Sequence, residues 1–113
     1  MPKLLTERMR RARALRDACL MLVARHGLAR QRAGAPVTEA VLDRFRIWLT
    51  PSGARREVEV WYADAGAADA GAGGAKVLSV GWSGEEAFTV VEFRRGAWEQ
   101  ELLALGGRGA SPP

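Results

Sequence analysis

Residues 6–27 constrain the fold most strongly. Leu5, Met9, Ala12, Leu15, Cys19, Leu22, Val23 and His26 recur at the 3.6-residue period, which draws one apolar stripe along a helix of about six turns. Thr6 stands where an N-cap hydroxyl is wanted, and Gly27 where a left-handed C′ residue stops a helix. Arg10, Arg11, Arg13, Asp17 and Arg25 fall off the stripe. Arg8 falls on it in the first turn, where its stem can lie along apolar surface with the charge in water. A helix with one apolar face must bury that face, and 113 residues supply one further layer to bury it against.

That layer reads as a sheet. Arg56–Tyr62 (REVEVWY) alternates with a period of two, and Pro51-Ser52-Gly53-Ala54 ahead of it has a turn composition. The segment 38–50 fits two descriptions. Val41, Leu42, Phe45, Trp48 and Leu49 fit a helix, while Phe45, Ile47 and Leu49 alternate against Arg44, Arg46 and Trp48 as in a strand. Register separates them. A four-residue loop at 51–54 pairs Ile47 with Val58 and Phe45 with Val60 on one face. On the other it pairs Trp48 with Glu57, Arg46 with Glu59 and Arg44 with Trp61, giving a salt pair and a cation–π pair. This agreement favours a hairpin over 43–62, compatible with a helical turn at 38–42; a helix over 38–50 is the alternative.

Residues 28–37 read as a connector broken by Gly34 and Pro36. Residues 63–75 are a Gly/Ala loop carrying Asp64 and Asp69, too poor in apolar side chains to order itself. Lys76–Trp82 and Phe88–Arg94 read as strands joined by a turn at 83–86. Residues 97–105 read as a short helix stopped by Gly106, or else as a further strand. The expected fold is α+β: a long N-terminal helix packed on a four-stranded antiparallel meander sheet, with a short C-terminal helix. One domain spans 1–106, and 107–113 form a disordered tail. In element order this layout is similar to cystatin-like arrangements, where a curled sheet wraps a helix.

The residues give little sign of chemistry. Cys19 and His26 are the single cysteine and histidine. On a helix they sit about 10.5 Å apart along the axis, too far to share a zinc ion or a proton. A G-x-S-x-G elbow and a G-x-x-x-x-G-K-[ST] loop are both absent from the sequence. The carboxylate pairs Glu57/Glu59, Glu85/Glu86 and Glu99/Glu101 are accounted for by a strand's outer face, a turn and a helix start. No catalytic residue, metal or cofactor is expected. No run reaches the ~20 apolar residues of a membrane span, and no apolar core follows the charges at the start, so no secretory signal is expected. One cysteine suits a reducing, cytoplasmic setting.

What remains is surface. Residues 1–32 hold nine Lys/Arg and two acids, a charge of +7, whereas 33–113 sum to −3. The hairpin register turns Trp48 and Trp61 outward among Arg44, Arg46 and Arg55, a composition typical of protein-binding hot spots. The face is either exposed or covered by Trp98 with the C-terminal helix or by the 28–42 segment. The chain is therefore expected to be a non-enzymatic adaptor or inhibitor that binds a partner, a protein, through Arg44, Arg46, Trp48, Arg55 and Trp61. A symmetric homodimer through that face is a further expectation. The rival from another class is nucleic-acid binding, or binding to an acidic surface, through Arg10, Arg11 and Arg13 of the basic helix. The third is a small-ligand binder or enzyme with a pocket between helix and sheet, among Leu15, Cys19, Val80 and Phe93.

Overall fold

The computed structural model describes residues 6–63, 74–84 and 87–108. The helix read from the stripe is α1, Glu7–His26. The Thr6 hydroxyl caps it by accepting from the Met9 N–H at 3.1 Å. At the other end Gly27 is extended (φ −69°, ψ 142°) rather than left-handed, and it leads straight into the next strand. Its lack of a side chain matters for a different reason from the one expected. A Cβ there would lie 2.4 Å from the Val23 carbonyl and 2.5 Å from Thr38 Cγ2, so only glycine lets the chain leave the helix this close to the sheet.

The sheet has six strands, not four: β1 Leu28–Arg32, β2 Ala35–Leu42, β3 Phe45–Ser52, β4 Arg55–Tyr62, β5 Ala75–Trp82 and β6 Thr89–Phe93. They form an antiparallel meander in chain order. The two added strands come from the stretch read as a connector with a helical turn. Gly34 does not end an element there; with Ala33 it makes a two-residue loop in which both φ angles are positive (52° and 82°), the geometry of a type I′ hairpin turn. Pro36 is tolerated because the β2–β3 ladder begins only at Thr38, so β2 has a neighbour on one side at that point. Pro51 lies in β3 on the same terms, beyond that ladder and paired only with β4.

The β3–β4 hairpin forms in a register displaced by two residues from the expected one. Ile47 pairs with Val60, Trp48 with Glu59, Arg46 with Trp61 and Phe45 with Tyr62. Pro51 and Ser52 continue β3, and the loop is Gly53-Ala54, with Gly53 at φ 64°. A displacement of two leaves every side chain on the face it was assigned, whereas a displacement of one would have reversed them all.

One face of the sheet is the core. Ala40, Ile47, Val60, Leu78 and Phe93 run in register across five strands, and none is more than 8% exposed. Ala12, Leu15, Cys19 and Leu22 of α1 pack on this face; burying each of the leucines contributes about 2 kcal/mol. Leu15, Cys19, Val80 and Phe93 thus fill the space between helix and sheet. Trp82 is core.

The last described element is α2, Trp98–Arg108, on the same side of the sheet as α1. Gly106 does not stop it. It is a contact point with α1, where a Cβ would lie 2.6 Å from the Ala18 Cβ. Trp98, 3% exposed, meets Phe93 edge-on at 6.1 Å and donates its indole N–H to the Arg94 carbonyl at 2.7 Å. It therefore belongs to the helix side and covers nothing on the other. The Gly/Ala loop expected at 63–75 falls outside the described residues except at its ends, as do Glu85, Glu86 and the tail from 109 on.

Candidate interaction surface

With both helices on one face, the alternate residues of each strand make up the other. Across β1 to β4 these are Arg30 and Arg32, then Val37, Glu39 and Val41, then Arg46 and Trp48, then Arg55, Glu57, Glu59 and Trp61. Among the described residues no helix lies over them. Trp48 and Trp61 are both half-buried: no described helix covers them, but Arg32, from the 28–42 segment, lies over Trp48.

Ion pairs organise this face. Glu39, with only 12% of its side chain exposed, sits between Arg30 (Nε to Oε1, 3.2 Å) and Arg46 (Nε to Oε2, 3.1 Å). Arg32 crosses from the edge strand to place its guanidinium 4.5 Å from the centre of the Trp48 ring, and its Nη2 lies 3.1 Å from Glu59 Oε1. Val37, paired with Arg30 on the outer face, is 5% exposed. The Trp61 indole N–H donates to Glu59 Oε1 at 2.8 Å. Partial burial raises the Glu59 pKa, but the hydrogen bonds from Trp61 and Arg32 outweigh it and hold the carboxyl below its ordinary range. Lys76 and Glu92 make a looser pair at 3.6 Å farther across.

Of the five residues expected to bind a partner, Arg44, Arg46 and Trp61 converge. They surround a hollow of about 120 Å³, with Val41, Asp43, Phe45 and Ala63 completing it. Val41 is 57% exposed. Trp48 is on the same face but under Arg32. Arg55 lies at the far end of β4 with its guanidinium against Gly81; a Cβ at that glycine would sit 2.6 Å from Nη2. The sequence reading missed Arg30, Arg32, Glu39 and Val41, because they lie on two strands read as a connector over 28–37 and a helical turn over 38–42. Residues 37–42, VTEAVL, do not alternate apolar with polar, so the Ala33-Gly34 pair was the available signal.

The three arginines of the basic helix part company. Arg11 turns inward and meets the Glu99 carboxylate of α2 at 2.5 Å, and Glu99 is 4% exposed. Arg13 stacks on the Phe88 ring at 5.3 Å. Arg8 and Arg16 do likewise on Phe93 and Trp82, at 5.5 and 4.9 Å. Arg10 remains on the solvent-facing crest with Ala14, Asp17, Met21 and Ala24, which is not a row of cations.

Burial pushes the Cys19 thiol far above its usual range, and the described residues hold no cluster of three metal-ligating side chains. No described helix is long and apolar enough to cross a membrane. Compared with protein-family models, curated proteins and solved structures, the chain matches none of them.

Proposed function

We propose that this chain is a non-enzymatic interaction protein, an adaptor or inhibitor, that binds a protein partner through the outer face of its sheet. One observation carries the reading. Both helices pack on one face, while the opposite face offers an exposed Val41 and the Trp61 indole beside a hollow large enough for one side chain. An apolar centre with arginine at its rim is the composition of binding hot spots. Because Val41 and Trp61 border the hollow, the partner's contact is an apolar side chain. Placing the helix against phosphates has less support, since Arg11 is committed to Glu99 and the stacked arginines lie to the side of the crest.

Affinity capture from the source cells, with nuclease present, followed by titration of the purified pair, tests the reading. Trp61→Ala and Val41→Asp are expected to weaken binding by about thirtyfold or more, the scale of a hot-spot residue, while Arg10→Ala changes it little. Binding that survives both outer-face substitutions, or that disappears with nuclease, overturns the proposal.

A further inference from the structure

A second site lies on the helix side, at the corner where β6 stops short of the end of β5. The β5–β6 ladder begins at Leu78 and is extended by one hydrogen bond, from the Arg94 N–H to the Val77 carbonyl at 2.8 Å, so Ala75 and Lys76 have no ladder partner on that side. Beyond Phe93 the chain turns through residues 94–97 into α2. The gap is a cleft of about 400 Å³, within the range of small-molecule sites. Tyr62 and Val77 form its floor, Trp98 one wall, and Arg94 and Arg95 line it beside the Gly96–Ala97 turn.

The cleft is apolar below and cationic at the mouth, and both features are held in place. The Tyr62 ring packs on Phe45 at 4.9 Å, and its hydroxyl donates to Glu101 Oε2 at 2.5 Å. The Trp98 indole is tied to the Arg94 carbonyl and lies close under Gly96, where a Cβ would come within 3.0 Å of the ring. At the mouth, guanidinium exceeds carboxylate. Glu99 serves both Arg11, at 2.5 Å, and Arg95, at 3.5 Å. It also accepts the Gly96 N–H at 3.0 Å, so the start of α2 is already capped and offers that donor to nothing else. Arg94 is exposed and has no ion-pair partner among the described residues. An exposed guanidinium over an aromatic-lined floor suits a molecule with an anionic head and an apolar body.

We propose that the cleft between the β4–β5 end and the start of α2 binds a small organic carboxylate with an aromatic or short aliphatic body, its head on Arg94 and its body against Tyr62, Val77 and Trp98. The site is separate from the outer sheet face and does not depend on the reading given for that face.

Titration of the ¹⁵N-labelled full chain with sodium 4-phenylbutyrate, followed by NMR, tests this. The expected result is saturable shifts centred on the Gly96 and Ala97 amides and the Trp98 indole N–H. The neutral 4-phenylbutyramide is expected to bind about tenfold more weakly at the same resonances, the value of a charge-assisted hydrogen bond. Arg94→Gln, at an exposed position, removes that preference and leaves the amide's affinity as it was. Three results overturn the proposal: shifts that do not saturate or that centre elsewhere, equal affinity for acid and amide, and an unchanged preference in Arg94→Gln.

Discussion

Ala33 is the residue whose backbone sits least comfortably. Its φ of 52° places a Cβ in the left-handed region, which costs a non-glycine residue about 1 kcal/mol. It is held there because the β1–β2 loop has only two residues, and a type I′ turn needs positive φ at both. Asparagine tolerates this conformation better. Ala33→Asn is therefore expected to raise the stability of the chain by about 0.5–1 kcal/mol, read as a higher urea midpoint with an unchanged slope. Asp43, at φ 52°, is already one of the residue types that accept such an angle. Gly27 makes the complementary point. The residue type was legible as a helix stop, but its reason was not, because the crowding comes from Val23 and Thr38, and Thr38 reaches it only once β2 has folded back.

At the scale of elements, the two helices are joined by a small-residue contact and a part-buried ion pair. Gly106 and Ala18 let the backbones approach, and Arg11 reaches Glu99 across the same junction. Adjacent glycines give an internal control. Gly106→Ala, with its Cβ 2.6 Å from Ala18, is expected to lower stability by about 2 kcal/mol through overpacking. Gly107→Ala, where a Cβ meets nothing within 4 Å, is expected to leave stability unchanged or raise it by up to about 1 kcal/mol. Thermal unfolding of the two variants side by side reads the difference. The strands show the same division between local and non-local. Their alternation placed Phe45, Ile47, Val58 and Val60 on the buried face in either register, but the choice of register depended on whether Pro51 and Ser52 belonged to loop or strand. Composition favoured the loop, and the pairing of both with β4 decided otherwise.

At the scale of the whole molecule, charge is distributed over a framework of mutual contacts rather than gathered into one basic face. Glu59 is central to it, since its carboxyl joins β1 to β4 through Arg32 and fixes the Trp61 ring. Its pKa is lowered in the folded chain, so its stabilising contribution is fully present above the unfolded value of about 4.3 and is lost as pH falls through the folded value. Glu59→Gln is accordingly expected to be less stable than wild type near neutral pH and to lose less stability on acidification below about pH 4.3. Urea unfolding at a series of pH values checks the convergence of the two curves. Parallel curves would show that the carboxyl is not coupled to folding.

Repeats of two and of 3.6 residues are local properties, written in consecutive side chains. By itself, therefore, the sequence was sufficient for α1, for the sidedness of β3 and β4, and for the outward aim of Trp48 and Trp61, while it left residues 97–105 open between a short helix and a strand. Only the tertiary structure decided that residues 28–42 complete the sheet as β1 and β2, that Arg11 serves the helix junction, and that Arg32 covers Trp48. Arg11 and Glu99 stand 88 residues apart, and although β1, β2 and β3 pair with chain neighbours, the free energy that selects these arrangements comes from burial and ion pairing, which exist only once the layers have met.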